Sequence, residues 1–174
     1  EYRLLLRQDN ADSRLTQKGY DIGLATSERL KKLKSKSKET ESLINFLKKQ
    51  SISPKDINST LKNKKSSLLK QKVKLNSVLA RPHITIEDLK VCEELSKYLE
   101  TKQLDIEIIE QAEIEIKYGG YLSKEKESAQ KLKRLENISL KSDFEYEKLH
   151  SISSEGREKL KTIQPSTIGQ ASRI

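Results

Sequence analysis

IEIIEQAEIEIKYGGY, residues Ile106–Tyr121, is the stretch whose reading decides the fold. Apolar and acidic residues alternate through it, the period of a strand, and Gly119-Gly120 offers a two-residue hairpin turn. The same letters also fit a helix. Ile106, Ile109, Ala112 and Ile116 fall on one face, and Ile114, Tyr118, Tyr121 and Leu122 cover another. The run passes without a break into LSKEKESAQKLKRLENISL, where Leu122, Ala129, Leu132 and Leu135 recur at helical spacing. A helix apolar on two faces is expected to be central and buried. Two glycines inside it cost roughly 1 kcal/mol each relative to Ala, so close packing or a partner's backbone is expected beside them. Both remain open on pattern alone, which favours the helix.

Outward from this stretch the signals are helical. Toward the N-terminus, Thr85 and Asp88 form a capping-box pair, and Leu89, Cys92, Leu95 and Leu99 share one helical face. Leu68, Leu69, Val73, Leu75, Val78 and Leu79 read as a helix that stops at Arg81-Pro82. Ser53-Pro54 is a helix start carrying Ile57 and Leu61. Ser27 opens a long helical pattern to about Gln50 whose middle, KSKSKET, is wholly polar and so either bridges solvent or frays. Thr16 is expected to cap a short helix ending near Gly23, and Asp9-Asn10-Ala11-Asp12 offers further caps. Glu1–Arg7 reads as a short strand or an extended connector. Toward the C-terminus, Ser153 caps SEGREKLKTI, which ends at Gln164-Pro165, and TIGQASRI is a final short helix.

Composition supports slim helices over a thick α/β core: 33% of the 174 residues are hydrophobic and 35% are charged. Six glycines and three prolines are too few for a fold of many tight β turns. Charge is distributed unevenly under a net +9. Residues 29–80 carry 15 Lys/Arg against 3 acids, while residues 87–115 carry 3 Lys against 10 acids. Such asymmetry suggests two partners or two faces. With one cysteine, Cys92, no internal disulfide forms, and its setting in LKVCEEL is that of a small buried hydrophobe. No apolar run approaches the ~18 residues of a membrane span. The chain lacks Met, and the expectation is that it is the tail of a larger protein.

Chemistry-bearing patterns are few. There is no Gly-rich phosphate loop, no metal-spaced His/Cys set and no nucleophile–base pair. His83 and His150 read as structural, and Glu113 and Glu115 point apart on a helix. No catalytic residue and no metal ligand is expected. The basic residues argue better. Arg3, Arg7 and Arg14 surround the Asp9–Asp12 turn, with Tyr2 and Tyr20 nearby, and phosphate recognition needs such cations. The alternative for them is pairing with that turn's own acids. The Lys-rich stretch from Lys31 to Lys74 supplies non-specific attraction for a polyanion.

EYRLLLRQDNADSRLTQKGYDIGL at the start resembles the segment that opens the C-terminal region of the bacterial MnmG (GidA) family of tRNA uridine-modifying flavoproteins. ARPHITIEDL, EQAEIEIKYGGYLSKE and KLKRLENISL resemble further family elements in the same order, followed by DFEYEKLHSISSEGREKLKTIQPSTIGQASRI. The likeness is weakest over Ser27–Ala80. The resemblance implies an all-α fold with one long central helix over Ile106–Asn137 and a short extended N-terminal connector. It divides the chain into a connector at 1–24, a basic helical subdomain at 25–90 and a C-terminal helical subdomain at 91–174. It implies a parent enzyme that works with a GTPase of the MnmE type to place an aminomethyl or carboxymethylaminomethyl group on C5 of the tRNA wobble uridine. FAD, NADH and methylenetetrahydrofolate take part there, in a cytoplasmic homodimer with no membrane role. The FAD domain lies upstream of this region, so the chain alone is expected to be inactive and to hold no cofactor. Carried over by motif position, Glu115, Lys117, Tyr118, Gly120 and Tyr121 are candidates for a tRNA- or partner-binding surface. Core packing is the competing role for Tyr118 and Tyr121. Arg3, Arg7 and Arg14 are candidates for contact with RNA or with the flavin domain. The alternative function is a protein-interaction module whose acidic face, Glu87–Glu115, docks the GTPase without RNA affinity.

Overall fold

The computed structural model describes residues 2–174. It contains nine α-helices among the described residues: α1 (Ala11–Asp21), α2 (Ser27–Lys49), α3 (Pro54–Asn63), α4 (Leu75–Leu79), α5 (Ile86–Leu89), α6 (Glu93–Lys102), α7 (Ile106–Glu136), α8 (Ser154–Ile163) and α9 (Ile168–Ala171). The only sheet among them pairs two-residue strands, β1 (Ser51–Ile52) and β2 (Val73–Lys74), antiparallel with Ser51 opposite Lys74. The deciding stretch is therefore helix: α7 runs unbroken through Gly119-Gly120. The chain divides into two compact units, Leu6–Leu122 and, separately, Ser123–Ile174 with the described residues before Leu6.

The first unit holds the main core. Leu43 and Leu47 of α2, Ile57 and Leu61 of α3, and Leu75, Val78 and Leu79 of α4 are fully buried. Ile84, Ile86, Leu89 and Leu95 complete it. Helix α7 reaches this core along one edge through Ala112, with Ile109 and Ile116 half-buried against it. The expected second face is not buried: Tyr118 and Tyr121 are exposed and Ile114 and Leu122 only half-buried, while on the first face Ile106 is exposed.

Several boundaries differ from the sequence reading. Helix α1 begins at Ala11, so Thr16 is not a cap; it lies buried inside the helix and donates to Asp12 Oδ1 at 3.1 Å. The helix ends in a Schellman pair, Leu24 N–H to Gly19 O at 2.7 Å and Gly23 N–H to Tyr20 O at 3.0 Å, with Gly23 at φ +77. Glu1 lies outside the described residues; those described before α1 are non-helical, but they are folded into turns, with Leu5 N–H on Tyr2 O at 3.0 Å, and form no strand. The polar middle of α2 neither frays nor stands free: Lys36 pairs with Glu107 at 2.7 Å, and Thr40 is buried.

The largest correction concerns Leu68–Leu79. Only Leu75–Leu79 is helical. The Asn58 amide on α3 clamps the backbone of Leu69 from both sides, donating to its carbonyl at 3.0 Å and accepting its N–H at 2.8 Å. That takes both groups away from any helical ladder. Val73–Lys74 then pairs with β1, and Leu75 N–H reaches Gln50 O at 3.0 Å. Leu89 through Leu99 is likewise two helices. The capping box at Thr85 and Asp88 forms as expected and starts α5, but α5 stops at Leu89 and Cys92 serves as N-cap of α6. All four apolar residues still reach the core.

In the second unit, Ser153 caps α8 by accepting Gly156 N–H at 3.1 Å. Gln164 ends that helix in the left-handed conformation, at φ 48. Segment Ile138–Leu140 pairs with Ser166–Ile168 through Leu140 N–H to Ser166 O and Ile168 N–H to Ile138 O, both 2.9 Å. Gly169 is required where it stands: a Cβ there would lie 2.9 Å from the Glu136 backbone nitrogen. Glu136 also accepts from Thr167 Oγ1 at 3.3 Å and pairs with Arg173.

Candidate functional site

Within the first unit the structure brings Arg7, Arg14, Glu115, Lys117 and Tyr118 into one region where the turn before α1 meets α7. Arg7 makes a bidentate pair with Asp9, Nε to Oδ1 and Nη2 to Oδ2, both 2.8 Å. The same guanidinium lies 5.8 Å from the centre of the Tyr118 ring, within cation–π range. The Asp9 hydrogen bond raises the pKa of Arg7 against the opposing effect of burial, with the Asp9, Tyr118 and Glu115 charges adding to it. Arg7 in turn holds Asp9 below the usual carboxylate range. Arg14 donates to Asn10 Oδ1 at 2.7 Å and to Arg7 O at 3.4 Å. Asp12, the other acid of the turn, goes to Arg29 at 2.6 Å, and that bond lowers its pKa. Arg7 and Arg14 thus both have partners inside the chain. Arg3 is exposed and belongs to the second unit.

Lys117 is held at 2.6 Å by Glu113, four residues back on α7, and Glu113 also accepts the Ile86 N–H at 3.1 Å. This pair ties α7 to the first residue of α5. Sequence reasoning set Glu113 aside as a catalytic acid and missed this anchoring role; its i,i+4 spacing to Lys117 was the available signal. The next four residues, 118–121, are all exposed. Tyr118 is 43% and Tyr121 64% exposed, so neither is a core residue. A Cβ added at Gly119 or Gly120 would meet nothing within 4 Å. The two glycines are not explained by packing among the described residues.

Beside this region, α1, α2 and α7 enclose an open cavity of about 390 Å³ lined by Asp9, Asp12, Lys36, Thr40, Glu41 and Glu115 among others. Sequence reading gave no sign of it, because its walls come from three separated segments. No group of three or more His, Cys, Asp or Glu suited to a metal occurs among the described residues. Cys92 is buried and its thiol donates to Glu94 at 3.1 Å; burial raises its pKa, which suits packing and not nucleophilic attack. No described helix is long and apolar enough to cross a membrane.

The residues present do not form a dinucleotide cradle. The chain's six glycines lie in helices or at the end of α1, and the two-residue strands lead into no Gly-rich turn. Fold and site together define an all-helical module with an exposed aromatic–glycine turn. Residues 27–126 match the family model described as the tRNA modifying enzyme MnmG/GidA C-terminal helical domain, and residues 128–174 match that of the MnmG/GidA C-terminal helical bundle. The chain belongs to the MnmG/GidA family. It is 45% identical, over its whole length, to the tRNA uridine 5-carboxymethylaminomethyl modification enzyme MnmG of Christiangramia forsetii, and 46% identical to that of Bacteroides fragilis, spanning 28% of each relative. The solved structure of Aquifex aeolicus GidA in the form II crystal superposes with a TM-score of 0.58 at 30% identity, covering 99% of this chain and 26% of that one.

Proposed function

We propose that this chain is the tRNA- and partner-binding region of a FAD-dependent enzyme that modifies C5 of the tRNA wobble uridine together with a GTPase. Family membership supports the enzyme class. The observation that carries a binding role for this region is the exposed turn of α7, Tyr118-Gly119-Gly120-Tyr121, on which the two tyrosines lie side by side at i,i+3. Exposed aromatics offer stacking surfaces for unpaired bases, and adjacent glycines let a backbone approach closely. Of Arg3, Arg7 and Arg14, Arg3 is the exposed one. Arg7 and Arg14 position the turn, and Arg7 orients Tyr118. FAD, NADH and the folate carbon donor belong to the rest of a longer protein.

The alternative, a GTPase-docking acidic surface without RNA affinity, draws less support. Glu87, Asp88, Glu93, Glu107 and Glu113 are taken up by Lys90, Lys64, Lys97, Lys36 and Lys117. The test is the Tyr118→Ala/Tyr121→Ala variant of the complete protein. Loss of tRNA affinity with FAD content unchanged supports the reading. Unchanged tRNA affinity with loss of GTPase co-purification establishes the alternative.

A further inference from the structure

Helix α2 carries Arg29, Lys31, Lys32, Lys34, Lys36 and Lys38 within ten residues, and the structure sorts them. Arg29 is spent on Asp12 at 2.6 Å and Lys36 on Glu107 at 2.7 Å. Lys31, Lys34 and Lys38 are exposed and make no ion pair among the described residues. At 3.6 residues per turn these three fall within about 60° of arc, on the side of the helix away from Leu33, Thr40, Leu43 and Leu47. At 1.5 Å per residue they span about 10 Å along it. Glu28 and Glu41 stand at the ends of the row and form no ion pair with any of the three. Spacings of three and four residues place like charges side by side, an arrangement that is unfavourable in an isolated helix and relieved by a polyanion.

We propose that Lys31, Lys34 and Lys38 form a ridge that binds the phosphodiester backbone of tRNA. The ridge rests on the tRNA reading above, and it adds a surface that the motif residues do not include. It is read from this chain's own side chains, in the segment where the family resemblance is weakest. Its chemistry is sequence-independent: ammonium groups neutralise phosphates and release counterions, so the contact supplies attraction and register while base recognition lies elsewhere. Lysine suits this use, being a mobile point charge that requires no fixed acceptor geometry.

The experiment uses the complete protein and its Lys31→Gln/Lys34→Gln/Lys38→Gln variant, in which glutamine keeps helix propensity close to that of lysine. Affinity for tRNA is measured between about 50 and about 200 mM KCl; each neutralised phosphate contributes about 0.7–0.9 to the slope of log affinity against log salt. The expected loss is about 2–3 from that slope, so that across this range the wild type loses roughly 20- to 40-fold more affinity than the variant. A second variant, Lys55→Gln/Lys102→Gln/Lys124→Gln, removes the same charge from three helices and controls for net charge. An unchanged slope in the first variant, or an equal drop in both, overturns the ridge while leaving the tRNA reading standing. Absence of tRNA binding by the wild type at low salt overturns both.

Discussion

Replacing Asn58 with Ala removes the two hydrogen bonds that keep the Leu69 backbone out of a helical ladder, at 3.0 and 2.8 Å. Each bond contributes about 1 kcal/mol net, and a backbone group left unpartnered beside the core carries a desolvation penalty of about 1–3 kcal/mol. Leu69 is buried and its partner Asn58 half-buried, so the unpaired groups have only partial access to water. Ala is the better helix former at this α3 position by about 0.6 kcal/mol, which offsets part of the loss. The net expectation is destabilisation of about 2 kcal/mol, read as a fall in Tm of about 4–8 °C for a chain of this size. Thermal unfolding followed by circular dichroism gives the magnitude, and amide hydrogen exchange gives the mechanism. Leu69 N–H is protected in the wild type and loses protection selectively in the variant. A loss below about 0.5 kcal/mol refutes the clamp, because it falls under the range for even one such bond. Continuous protection from Leu68 to Val73 refutes it as well, since that is the signature of the helix the clamp excludes.

Two further predictions follow from α7 and from the turn before α1. Gly120→Ala stabilises the chain by about 1 kcal/mol, because the position is helical with open space around it; a rise in Tm checks this, and a fall shows the site to be sterically occupied. The pH dependence of stability carries the Arg7–Asp9 pair. Arg7 lowers the folded pKa of Asp9 below the unfolded value of about 3.9, so its contribution is present above about pH 4 and is lost as pH falls through the lowered value. Wild type and Asp9→Asn therefore differ in Tm near neutrality and converge in acid, whereas parallel curves between about pH 5 and pH 2 rule out a stabilising pair.

The charge asymmetry of the chain shows how far sequence carries the site. Counting placed a basic half beside an acidic half and suggested two partners or two faces. In the structure the halves partly neutralise each other, through Lys36 with Glu107 and Lys64 with Asp88. No count reveals which lysines are left over, because pairing depends on which helices lie side by side. The arginines of the opening segment were more legible: pairing with the turn's own acids was one of the two roles expected of them, and Arg7 takes it with Asp9, whereas Arg14 goes to the Asn10 amide.

What the sequence determined by itself was what local chemistry specifies. Helical periodicity, Pro54 at a helix start, the capping residues Thr85 and Ser153 and the ordered family motifs identified an all-helical chain and its relatives. Those signals act within a few residues of one another. Only the tertiary structure decided the rest. Leu68–Lys72 was read as part of a helix but is non-helical, with Leu69 clamped by an amide eleven residues away. Ile106–Tyr121 is a helix as the family resemblance implied, yet it is buried along one edge only, because the core of α2, α3 and α4 is already closed by Leu43, Leu47, Leu61 and Leu79. That leaves Tyr118 and Tyr121 in solvent. Burial is a property of what packs against a face, and a one-dimensional pattern records the face without its partner.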